Sequence, residues 1–183
     1  MVRERMVGKK PVTVWQAAAL AVMVWILVPG IADAGKETPH TASGLPVPRF
    51  VSLKSDNVTV RAGPTKDQDV AWIFTRPGLP VEITAEFENW RRVRDSDGSE
   101  GWVYHSLLSG RRTAVVTTKA EDGLAPLYDR ADVTGSIAAK LQTGVVANVK
   151  RCGSGWCRVV GKGFDGYIQQ ERLWGVYQDE KVE

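Results

Sequence analysis

From residue 49 onward, apolar positions recur at every second residue in short runs that turn residues interrupt. In LPVEITAE (79–86), Val81, Ile83 and Ala85 alternate with Glu82, Thr84 and Glu86, the period of a strand with one buried face. DSDG at 95–98 marks a turn between two strand-like runs, and KGFDG at 162–166 holds the matching place later in the chain. No apolar run in this region has helical spacing. The pattern predicts an all-β chain made of small sandwiches or barrels.

The beginning of the chain reads differently. Arg3, Arg5, Lys9 and Lys10 precede an almost wholly apolar stretch at 12–28, followed by Pro29, Gly30 and the step Ala32, Asp33, Ala34. A basic start, an apolar middle and small residues at a cleavage point are the layout of a secretory signal peptide. Residues 1–34 are therefore expected to be removed by cleavage between Ala34 and Gly35. The apolar stretch is short for a full span, so membrane contact is expected only through the uncleaved segment. Residues 35–48, GKETPHTASGLPVP, are rich in Pro, Gly, Ser and Thr and read as a flexible tether, with order expected from about Arg49.

The rest of the chain is written twice. With Gly78 aligned on Gly144, Leu79, Val81 and Ile83 fall on Val145, Ala147 and Val149, and Trp90, Arg92 and Val93 fall on Trp156, Arg158 and Val159. After one residue is dropped in the next turn, Gly101, Trp102 and Val103 fall on Gly166, Tyr167 and Ile168, and Leu108 on Leu173. Matches of one type, in order, across a whole unit indicate duplication. The units are expected at 49–116 and 119–178. Each has roughly 60 residues, which buries only a small core, and the short link at Thr117 and Thr118 favours docking of one copy on the other.

Charge and cysteine content narrow the class. The 24 Lys+Arg and 21 Asp+Glu give a formal net charge of +3, but four of those cations and two of those acids lie in residues 1–34. The exported part is close to neutral, and nothing in it calls for a nucleic-acid partner. Both cysteines, Cys152 and Cys157, lie in the exported part, where a pair usually forms a disulfide. In the repeat alignment they stand at the positions of Glu86 and Arg91, with four residues between the members of each pair. Such a pair can close a hairpin across two antiparallel strands. The expectation is an exposed ion pair in the first copy and a disulfide in the second. The spacing is not C-x-x-C, which argues against a redox-active pair. Two paired thiols and two scattered histidines, His40 and His105, supply neither a cysteine nucleophile with its base nor a zinc ligand set. No metal, no cofactor and no catalytic residue is expected, and DSDGSE at 95–100 lacks the full calcium loop.

NVTVRAGP at 57–64, GLPVEI at 78–83, NWRRVRDSDGSEGWV at 89–103 and LLSGRR at 107–112 resemble the bacterial SH3-like (SH3b) domain family, specifically its exported alphaproteobacterial type with two tandem copies. The second copy departs from the pattern: APLYDRAD at 125–132 replaces the N-V-R-x-G-P entry and GYI replaces GWV. The resemblance covers nearly all of the exported chain. It implies two tandem small SH3-like β-barrels after a signal peptide and a tether. It also implies binding of cell-wall peptides or of other proteins, without catalysis.

SH3-like folds hold extended peptides on aromatic rings, which directs attention to Trp72, Phe74, Trp90, Trp102 and Tyr104. If Val93 and Val103 face the core, alternation turns Trp90 and Trp102 outward. The rings either line a groove for peptidoglycan stem peptide or a partner protein's extended segment, or they pack the barrels and the seam between copies. The first reading makes the protein a periplasmic or secreted binding module. The second makes it a structural adaptor of the cell envelope.

Overall fold

The computed structural model describes residues 41–118 and 123–183; the expected signal segment and the cleavage point between Ala34 and Gly35 lie outside the described residues. The described chain is all-β. Seven strands, β1 (Arg49–Leu53), β2 (Val58–Arg61), β3 (Val70–Phe74), β4 (Pro80–Phe87), β5 (Trp90–Arg94), β6 (Glu100–Tyr104) and β7 (Leu108–Ser109), form one sheet. Seven more, β8 (Thr113–Val116), β9 (Leu124–Tyr128), β10 (Ile137–Gln142), β11 (Val146–Gly153), β12 (Trp156–Gly161), β13 (Phe164–Gln169) and β14 (Leu173–Trp174), form the other. The first runs β3-β2-β6-β5-β4-β1-β7 and the second β10-β9-β13-β12-β11-β8-β14. The two orders are the same, so the duplication seen in the residues is also a duplication of topology. Even the single 3-10 turns, His105–Leu107 and Gln170–Arg172, correspond.

The cores follow the alignment. Val81, Ile83, Val93 and Val103 are buried in the first cluster. Their counterparts Ala147, Val149, Val159 and Ile168 are buried in the second. Each such aliphatic side chain contributes about 1.5–3 kcal/mol by leaving water. The repeated glycine before the aromatic is explained by close approach of strands. A Cβ on Gly101 would stand 2.4 Å from Val60 Cγ1, and one on Gly166 would stand 2.6 Å from the Tyr128 carbonyl oxygen.

Two boundaries differ from expectation. The strand β8, which the repeat reading assigned to the first unit, pairs with β11 and β14 in the second sheet. Its four residues are all buried, so it shows no alternation and carries no period-two signal. The units therefore meet between β7 and β8 rather than at Thr117 and Thr118. The tether also joins the fold before Arg49: Ser43 donates to Glu86 from both its amide and its hydroxyl, each at 2.7 Å.

The copies dock through a seam of aromatics. The Phe50 ring meets Trp174 edge-on at 5.2 Å and Tyr177 at 4.7 Å. The Tyr177 hydroxyl donates to Glu82 Oε1 at 2.9 Å, and Arg76 Nη1 donates to the Gly144 carbonyl at 3.0 Å. Beyond the seam the chain end returns to its own barrel, where Val182 and Cys152 exchange backbone hydrogen bonds of 2.9 and 3.2 Å.

Candidate functional site

The register of the first sheet decides which rings can act together. Trp90 lies opposite Tyr104 and Arg92 opposite Trp102, and Trp102 lies opposite Arg61 on β2. These residues share the face opposite Val93 and Val103, as alternation requires. Trp72 and Phe74 lie opposite Val60 and Val58, both fully buried in the core. They therefore belong to the inner face, pack edge-to-face at 5.9 Å, and support the core instead of completing one groove with the other three rings. Ile73, between them, faces outward by plain alternation, and the register shift at Ala71 in the β2–β3 pairing turns Val70 outward as well, each 49% exposed.

On the outer face Trp90 and Tyr104 meet edge-to-face at 5.4 Å. They line an open hollow of about 240 Å³ with Thr59, Arg61, Lys66 and Leu107. Trp90 is only 8% exposed, so it forms the floor while the half-buried Tyr104 offers its ring. Trp102 stands on the same face outside the hollow. Two cations rim the site without a carboxylate partner among the described residues: Lys66, and Arg61, whose Nη1 is held by the Gln68 carbonyl at 2.6 Å. Arg92, by contrast, is paired with Glu100. The site can thus stack an extended chain on a ring and draw an anionic group to its rim. Arg61 and Thr59 were open to sequence reasoning, because in VTVR the alternation that buries Val58 and Val60 turns them out. Lys66 reaches the hollow from the β2–β3 loop and Leu107 from the 3-10 turn His105–Leu107, and neither carried a periodic signal.

The second barrel builds its outer face differently. Gln169 lies opposite Trp156, where the first barrel has Tyr104, and the Trp156 ring instead meets Tyr128 at 5.6 Å. Arg151 stacks over Tyr167 at 5.6 Å. One element is kept: Arg158 donates to Asp165 twice, at 2.9 and 2.7 Å, repeating the Arg92–Glu100 pair. Those donations hold the Asp165 carboxyl below the usual carboxylate range.

The two hairpins carry the expected correspondence. Glu86 lies opposite Arg91 and Cys152 opposite Cys157, and the cysteines are bonded. The ion pair, however, is not exposed. The Glu86 side chain has no accessible surface and receives Arg49 Nη2 at 2.5 Å and Arg91 Nε at 3.1 Å. Burial opposes its charge, but the hydrogen bonds from Ser43 and Arg49 outweigh that and hold its carboxyl below the usual range. Among the described residues, no group of three or more His, Cys, Asp or Glu side chains could hold a metal ion.

A family model described as bacterial SH3 domain matches residues 54–110 and 121–175, more than half of the chain. The chain belongs to the bacterial SH3 domain family. Both copies of the bacterial SH3 domain are thus matched, each over most of one sheet. Among solved structures, NlpC2 from Trichomonas vaginalis is 18% identical, with 69% of this chain and 48% of that chain covered and a TM-score of 0.31. An NlpC/P60 family protein from Bacillus cereus ATCC 10987 is 11% identical, with 68% and 55% covered and a TM-score of 0.29. The native structure of CBDP35 is 18% identical, with 68% and 94% covered and a TM-score of 0.25. The chain spans about half the length of the first of these. No curated protein matches the sequence.

Proposed function

We propose that this bacterial SH3 domain protein is a non-catalytic, exported binding module that holds cell-wall peptide, the peptidoglycan stem peptide, on the outer face of its first barrel. The observation that carries this reading is the Trp90–Tyr104 hollow with Arg61 and Lys66 at its rim, neither paired with a carboxylate among the described residues. A ring offers contact area at small entropic cost, and a stem peptide supplies both an extended backbone and carboxylates. The disulfide is consistent with an oxidising compartment. The test is retention on purified cell-wall sacculi, with and without free stem peptide as competitor. Tyr104→Ala and Arg61→Gln are expected to lose retention while unfolding as cooperatively as the parent. Retention equal to the parent's in both variants would refute this site. An extended segment of a partner protein is the alternative ligand of the same hollow, and failure of stem peptide to compete would favour it.

The seam of Phe50, Trp174 and Tyr177 favours a second reading, a structural adaptor whose output is the fixed arrangement of its two copies. Phe50→Ala separates the two: it leaves sacculus retention intact if the first barrel binds alone, and abolishes it if the docked pair is what matters.

A further inference from the structure

A second hollow, of about 570 Å³, opens at the end of the second barrel, where Arg76 reaches over from the first copy. Lys140 of β10 and Lys162 of the β12–β13 turn line it with Arg76, and Val145, Val146 and Phe164 supply apolar wall. Arg76 is fixed there by its bond to the Gly144 carbonyl. None of the three cations is paired with a carboxylate among the described residues. The wall is preformed: the Phe164 ring lies where a Cβ on Gly161 would stand 2.1 Å from it, so only glycine lets the ring fold back over the hairpin. Along one side of the hollow runs β10, a terminal strand of its sheet, with no strand paired to its outer edge among the described residues. Each feature selects for something different. Three unpaired cations from two copies select an anion, the half-buried aliphatic and aromatic wall selects an apolar group beside it, and an open strand edge selects an extended backbone.

We propose that this junction hollow receives the carboxyl-terminal end of an extended peptide with an apolar last side chain. The carboxylate lies among Arg76, Lys140 and Lys162, the side chain lies on Val145, Val146 and Phe164, and the backbone lies along β10. The site is separate from the Trp90–Tyr104 hollow, so it stands or falls independently of the stem-peptide reading. The test is calorimetric titration of the purified full chain with N-acetyl-Thr-Val-Thr-Leu as the free acid and as the carboxamide. The acid is expected to bind saturably and the carboxamide about tenfold more weakly, the effect of losing a hydrogen bond to a charged group. The double variant Lys140→Ala, Lys162→Ala is expected to show the same loss for the acid, and Tyr104→Ala none. The proposal is overturned by equal binding of acid and carboxamide, by an unaffected double variant, or by no saturable binding of the acid. It is equally overturned if Tyr104→Ala abolishes binding, which would place the peptide in the first hollow, or if polyglutamate displaces the acid at lower concentration, which would make the site one for bare polyanions.

Discussion

The Glu86 side chain has no accessible surface and stands between Arg49 and Arg91 as the ion-pair partner of both. Removing one partner of a buried pair leaves an uncompensated charge, a loss of about 3–5 kcal/mol. Glu86→Ala is expected to cost an amount in that range by urea unfolding, far above the ~0–1 kcal/mol of an exposed pair. The pH dependence has a definite sign. A carboxyl held low in the folded state adds stability above its unfolded pKa of about 4.3, and that stability is lost as pH falls through the folded value. Glu86→Gln should therefore flatten the acid limb of the stability curve, and an unchanged limb would show that other carboxylates govern it. The repeated glycines give a second residue-level test. The contact of a Cβ at Gly166 is backbone, the Tyr128 carbonyl at 2.6 Å, whereas at Gly101 the nearest atom is a Val60 methyl at 2.4 Å. A methyl can shift more readily than a carbonyl held in a sheet. Overpacking costs about 1–3 kcal/mol, and Gly166→Ala is expected to exceed Gly101→Ala in thermal unfolding.

At the scale of elements, the hairpins show what the amino-acid pattern disclosed and what it hid. Register across β4–β5 and β11–β12 was legible because equal spacing between Glu86 and Arg91 and between Cys152 and Cys157 fixes the same turn. Burial of the Glu86 pair was not, because Ser43 and Arg49 come from segments far away in sequence. Trp90 and Trp102 share the non-core face as alternation requires, although Trp90 is only 8% exposed, whereas the inward turn of Trp72 and Phe74 is set by their register with Val60 and Val58, which the pattern within β3 does not record. The strand β8 was assigned to the wrong copy because a strand buried throughout does not alternate. The disulfide closes so short a loop that the chain-entropy model assigns it about 2 kcal/mol. Cys152 also holds the chain end through Val182. Reduction, or Cys157→Ser, is expected to destabilise by about that amount and to speed amide exchange in β11, β12 and Val182 while β4 and β5 keep their protection. Loss of protection in β4 and β5 as well would mean that the two hairpins unfold as one unit.

At the scale of the whole molecule, the seam joins the barrels into a frame that carries both hollows, and the hydrogen bond from Tyr177 to Glu82 is one of its polar links. Burial, reinforced by the hydrogen bond to Glu82, pushes the Tyr177 hydroxyl well above the ordinary tyrosine range. Arg94 Nε also holds Glu82, at 2.9 Å, so the carboxylate keeps a partner if the hydroxyl is lost. Nothing in the residues near 177 announced this contact, since it joins positions 95 apart that only the docking of copies brings together. A group whose pKa is raised by folding adds stability below its unfolded value, about 10 for tyrosine, and that stability is lost as pH rises toward the folded value. Tyr177→Phe keeps the ring against Phe50 and removes the titration. At neutral pH the variant should be weaker by about 1.5–3 kcal/mol, the effect of a hydrogen bond to a charged group. Above pH ~10 the parent should lose stability faster than the variant, so that the two urea midpoints converge. Parallel curves from neutral to alkaline pH would show that Tyr177 titrates in the folded state as it does in the unfolded chain, and that its hydroxyl adds no pH-dependent stability to the seam.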